Sequence, residues 1–149
     1  MTNPADLLPP ARDFMKKIAL VEAEKATEEM RKRSVLEAEK AALIEQLSNP
    51  SGVSDEEGIR RAVSIIERAA ANGLTEVLVY RFPNQLCTDK GRAINQQEAG
   101  WENTLTGVPK EIYSLWRRYF RERGYKLRVQ IIDFPGGMPG DVGMTLNWS

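Results

Sequence analysis

The distribution of glycine and proline along this chain constrains its fold more than any other feature. All eleven glycines lie at or beyond Gly52 and every Trp and Tyr at or beyond Tyr80, while residues 11–48 contain neither glycine nor proline. Glycine supplies the left-handed backbone of tight turns, and aromatic side chains supply the bulk of a small core. The second part is therefore expected to fold as a compact body and the first as a rod, joined at Asn49-Pro50-Ser51-Gly52.

Pro9-Pro10 excludes helix upstream and Asn49-Pro50 stops it, so the pattern predicts one helix over 11–48, about 55 Å long at about 1.5 Å per residue. Residues 1–10 are expected to be disordered. Within the rod, Val21-Glu22-Ala23-Glu24-Lys25-Ala26 recurs as Leu36-Glu37-Ala38-Glu39-Lys40-Ala41. That repeat corresponds to about 3.75 residues per turn, looser than the heptad of a left-handed coiled coil. Apolar residues gather at the two ends, as Phe14, Ile18 and Val21 and then Leu36, Leu43 and Leu47. Glu28-Glu29-Met30-Arg31-Lys32-Arg33 separates them. The ends are expected to dock on a protein partner or a second copy, and the middle to stay solvated.

The 149 residues, 42% hydrophobic and 28% charged, suit one small domain plus an appendage. Lys plus Arg and Asp plus Glu both number 21, which gives no long-range field to gather a polyanion. Nucleic acid and membranes are therefore not expected partners. A single cysteine, Cys87, and the lack of a leader pattern or long apolar run point to a reducing, cytoplasmic setting. The chain has no histidine, so a Cys-His hydrolase is excluded. No motif calls for a metal or a cofactor.

After a linker at 49–53, the compact domain is expected to span 54–149. Ser54-Asp55-Glu56-Glu57 reads as a capping box, and Ile59, Ala62, Val63, Ile66 and Ala69 follow at helical spacing up to Gly73. Thr75 to Phe82 reads as a strand with apolar residues on both faces, hence covered on both sides. Thr88 is expected to cap a short helix reaching about Ala99, and Pro109 and Glu111 to open a longer one that buries Trp116, Tyr119 and Phe120. Tyr125 to Phe134 and Asp141 to Trp148 read as strands joined by Pro135-Gly136-Gly137-Met138-Pro139-Gly140, with Val142, Met144, Leu146 and Trp148 inward. The expectation is an α+β fold in the order ααβααββ: a long N-terminal helix, then a small three-stranded mixed sheet packed with three helices. Its first two strands would pair in parallel and its last two antiparallel.

The candidate ligand site is the segment after the first strand, with Arg81, Asn84, Cys87, Thr88, Asp89, Lys90 and Arg92. Strand ends meet helix amino termini in such places, and three cations there could hold an anion. Cys87 at a helix start beside Lys90 could be an activated thiolate, against the plainer reading of a buried, inert thiol. Asp133 and Asp141 flank the glycine-rich loop and could share a cation, although two carboxylates without a third ligand more often cap turns. Met138 at the loop tip is a further candidate partner contact. Arg117, Arg118, Arg121, Arg123, Lys126 and Arg128 form the only basic concentration.

These features favour a non-enzymatic interaction protein that uses its N-terminal helix for self-association or for docking to a larger assembly. A small enzyme or anion-binding domain with its site at 81–92 is the alternative. An RNA module using the arginine-rich helix is the second alternative.

Overall fold

A computed structural model describes residues Asn3–Ser149. Of the segment expected to lack order, Met1 and Thr2 lie outside the described residues. Pro4–Leu7 form one 3₁₀ turn, with the Asn3 side chain accepting from the Ala5 amide at 3.1 Å. Two compact units follow from the packing, the first ending at Ala42 and the second running from Leu43 to Ser149. The second unit thus begins before the long helix ends.

The first unit is made of α1, which spans Ala11–Ser48 in full and has no buried residue. Its absence of glycine and proline lets the helix propagate, and the Ser48 hydroxyl and Asn49 amide close its last turn on the carbonyls of Ile44 and Glu45. The final residues of α1 belong to the second unit, where Ile44 and Leu47 pack on the main core.

In the second unit α2 spans Asp55–Ala71, and the Ser54 hydroxyl accepts from the Glu57 amide at 3.2 Å as the capping motif requires. Glu57 does not return the bond. Its carboxylate instead pairs with Arg61 one turn on. Gly73 adopts φ +78°, and the Leu74 amide reaches back to the Ala69 carbonyl at 3.1 Å, closing the helix.

Three strands form the sheet: β1 (Glu76–Phe82), β2 (Lys126–Ile131) and β3 (Val142–Asn147). The α+β class is as expected, but the mixed sheet is not. The order is β1-β3-β2, and both pairings are antiparallel. β1 and β2 run in the same direction without touching, because β3 is inserted between them. The physical reason lies in β3, where Val142 to Leu146 are all buried and demand neighbours on both sides.

β1 is thus an edge strand, and it departs from the expected alternation. A bulge between Leu78 and Tyr80 shifts the register, so that Tyr80 faces Met144 and Phe82 faces Val142 while Leu78 pairs with Thr145. Val79, Tyr80 and Phe82 then pack on the core, and Leu78, 46% exposed, turns to the other face. Helices cover one face of the sheet only. The opposite face carries an ion pair between Arg128 of β2 and Glu76 of β1 that spans β3.

The helices between β1 and β2 are shorter than the sequence suggests. Asn84–Leu86 and Trp101–Thr104 are 3₁₀ turns, and α3 is one turn, Arg92–Asn95. Its amides at Gly91 and Ala93 are taken by the Asp89 carboxylate at 3.0 and 2.9 Å. Thr88 is not the cap, since Asp89 supplies the carboxylate that takes those amides. α4 spans Gly107–Leu115 and continues as a π turn at Trp116–Phe120 and a 3₁₀ turn at Arg121–Arg123. The π turn changes the phase of the helix. Phe120 is buried as expected, but Tyr119 is exposed rather than core-facing. Val142, Met144 and Leu146 point into the core, and Trp148 packs beside Ile66 and Phe120.

Candidate functional site

In the segment after β1, two of the three cations are already paired with carboxylates. Arg81 leaves the open face of β1 and donates through Nε to Asp141 at 2.7 Å and through Nη2 to Asp133 at 3.1 Å. Its charge is thereby balanced twice. Arg92 pairs with Glu98 at 2.9 Å. Lys90 makes no ion pair among the described residues, but it sits in the left-handed region at φ +58°, on an exposed turn. Asn84 is buried, with its amide donating to the Pro139 carbonyl at 2.8 Å. Asp89 is committed to the amides that open α3. The seven residues are neighbours, but Arg81, Asn84, Asp89 and Arg92 are bonded to groups outside the set.

Cys87 is 3% exposed and pairs through its backbone with Leu105 in an isolated bridge. Burial pushes its thiol up to about 11, outweighing a hydrogen bond with Thr104, and the Asp89 charge pushes the same way. The thiolate-stabilising arrangement of helix start and Lys90 is absent, and the thiol is held protonated.

The two aspartates flanking the glycine-rich loop do share a cation, and it is the guanidinium of Arg81. Asp133 also accepts from the Asp141 amide at 2.6 Å, and a Cβ at Gly140 would collide with its carboxylate. Among the described residues, no group of three acidic or cysteine side chains is placed to hold a metal ion. Met138 stands exposed at the loop tip.

Along α1, Phe14, Ile18, Val21, Leu36 and Leu43 fall on one stripe at 3.6 residues per turn, and each is exposed. Lys25, Glu29 and Lys32 occupy the same stripe between them. Steps of four, three and four residues generate it, which is an eleven-residue rather than a seven-residue repeat. Leu47 continues the stripe, but it packs on the core of the second unit and is not an exposed docking residue.

The basic concentration is partly neutralised. Arg118 donates to both oxygens of Asp55, at 2.7 and 3.3 Å, and Arg128 pairs with Glu76. Tyr119 Oη also donates to Asp55 at 2.9 Å, and the Arg118 guanidinium lies over the Tyr119 ring. Among the described residues no helix is long and apolar enough to cross a membrane.

Sequence reasoning missed a cavity of about 570 Å³ on the core face of the sheet, between α2 and α4. Gly58 and Ala62 of α2, Leu115 of α4, and Val79 and Leu146 of the sheet give it mainly apolar walls. Tyr80 also lines it, and its hydroxyl is buried without a hydrogen-bond partner. Burial raises the Tyr80 phenol above its ordinary value, and the negative charge of Glu111 adds to the rise. At the mouth, Glu111 is clamped by Ser51, whose amide and hydroxyl donate to its two oxygens at 3.2 and 2.6 Å. The signal available in the sequence was the small pair Gly58 and Ala62 on the inner face of α2, facing the bulky residues of α4. Compared with models of known protein families, with curated proteins and with solved structures, the chain matches none.

Proposed function

We propose that this is a non-enzymatic interaction protein in which α1 is the contact element and the partner is a second copy of the chain. The supporting observation is the exposed apolar stripe of α1 on a helix that buries none of its own residues. Isolated helices gain little from propensity alone, and an apolar stripe of this length is stabilised by tertiary or quaternary packing.

The charges within the stripe select the arrangement. A parallel pair would set Lys25, Glu29 and Lys32 each against its own copy, which repels. An antiparallel pair about a two-fold axis between residues 30 and 31 brings Glu29 against Lys32 twice and Ile18 against Leu43. In that register Lys25 lies against Leu36 and Lys40 against Val21, where their methylene stems cover apolar surface while the ammonium groups stay wet.

Sedimentation of the full chain tests the reading. Association at micromolar concentration is expected, weakened by Glu29→Lys or Lys32→Glu and restored by the two together. A monomer across that range, or dimers indifferent to Ile18→Asp, would defeat it.

A further inference from the structure

We propose that the cavity between α2 and α4 is a docking site for the N-terminal arm of a second copy, with Leu7 and Leu8 of that arm as the side chains it receives. The inference rests on the antiparallel pairing of α1 and adds a second contact to it. In the register that sets Glu29 against Lys32, Phe14 falls opposite Leu47, and Pro10 and Leu8 of the second copy come level with Ser51 and Val53. Ser51, Gly52 and Val53 line the cavity. Leu47 ends the apolar stripe and packs on the core of the second unit, so a helix laid along the stripe arrives at that unit with its first residues.

The arm has the form of a ligand. Leu7 and Leu8, at 83% and 73%, are the most exposed large apolar side chains among the described residues. Asn3 caps the 3₁₀ turn that ends at Leu7, and Pro9-Pro10 restrict the backbone between that turn and α1. An arm already held in shape loses little freedom on docking. A chain cannot fill its own cavity in this way, because α1 sets 38 residues of helix, about 55 Å, between its Leu8 and its Ser51. The occupant is therefore a second copy, and a two-fold pair makes the contact twice.

The cavity suits this occupant in size and in chemistry. Its volume, about 570 Å³, falls in the range of pockets that enclose small apolar groups. Val79, Leu115 and Leu146 offer apolar surface, and Gly58 and Ala62 leave room beside α2. Of the charges that line it, Asp55 and Arg118 pair with each other, Arg61 is engaged by Glu57, and Glu111 is bonded by Ser51. Lys110 makes no ion pair among the described residues, and Asp6, the one charge between Pro4 and Pro10, is of the opposite sign.

Cross-linking the full chain with a short bismaleimide tests the contact, since the native Cys87 is buried and does not compete. Leu8→Cys with Val53→Cys is expected to link two copies, whereas Leu8→Cys with Met138→Cys, which lies outside the cavity wall, is not. Ile18→Cys with Leu43→Cys reports the α1 pairing separately. Ala62→Trp, which fills the cavity, should abolish the link between positions 8 and 53 and spare that between 18 and 43. Leu7→Asp with Leu8→Asp changes only exposed arm residues, and should raise the dissociation constant of the dimer at least about tenfold by sedimentation. Linkage at 18 and 43 without linkage at 8 and 53 would overturn the docking and leave the α1 pairing standing. The same follows from equal linkage at 8 and 138, from an 8 to 53 link that survives Ala62→Trp, or from a dissociation constant unmoved by the two aspartates. A chain that links at neither pair and sediments as a monomer would overturn both readings.

Discussion

Arg81, at the end of the edge strand, holds Asp141, at the start of the central strand, through a 2.7 Å bond from its Nε. The same guanidinium reaches Asp133 at 3.1 Å, so one side chain closes both ends of the glycine-rich loop. Removing it leaves two carboxylates near each other without their counter-ion. Arg81→Met is expected to lower Tm, and adding Asp133→Asn to recover part of the loss. Thermal melts of the single and double variants check this. Anion titrations of the wild type should show no saturable site in this region.

Cys87 is expected to resist alkylation by iodoacetamide at pH 8 in the native state and to react on unfolding. Its thiol titrates near 9.0 when unfolded and at about 11 when buried. A raised folded value means that the stabilisation is complete below about pH 9 and is lost as pH climbs towards about 11. Cys87→Ala should flatten that alkaline decline in Tm.

Gly107 opens α4 at φ +57°, and a Cβ there would collide with the Leu47 carbonyl at the end of α1. Gly107→Ala should cost about 2 to 4 kcal/mol, combining left-handed strain with a backbone clash. Gly52, at φ +71° with open space around it, provides the control. Gly52→Ala should cost only about 1 kcal/mol. Urea melts separate the two.

Asp55 opens α2 and gathers Arg118 and Tyr119 from the π turn beyond α4. The Arg118 hydrogen bond, then that of Tyr119, hold its carboxyl below the ordinary 3.8. A lowered folded value means that the stabilisation is present above about pH 4 and disappears as pH falls through the folded value. The Tm gap between wild type and Asp55→Ala should therefore be constant near neutrality and close on acidification.

The first two helices were the legible part of the sequence, because their signals are local. The glycine-free run, the Asn49-Pro50 stop, the Ser54 cap and the Gly73 terminus each act within a few residues, and each is where the sequence puts it. Strand order was not legible, since inserting β3 between β1 and β2 depends on pairings far apart in the chain. A clue lay in β3 itself: Gly143 and Thr145 alternate with Val142, Met144 and Leu146, leaving small side chains for Leu78 and Ile132 to cover. The bulge at Leu78 and Tyr80 breaks the period of two by which the faces of a strand are read from sequence.

The pairing of charges in the 81–92 segment was illegible for a related reason. Arg81, Lys90 and Arg92 read in sequence as three available charges, yet the partners of Arg81 come from residues 52 and 60 positions away. The cavity is defined by what α2 and α4 do not fill, so its one trace in the sequence is the small pair Gly58 and Ala62.

Placing β3 in the middle also sets a timetable. As the polypeptide is synthesised, β1 and β2 have no ladder partner until Val142–Asn147 emerge, although they are made earlier. The sheet cannot zip progressively from its first strand. Its assembly is a late, concerted event that waits on long-range closure, a topology that folds slowly. Until then, α2 and the unpaired edge of β1 hold their apolar surfaces open to whatever is nearby.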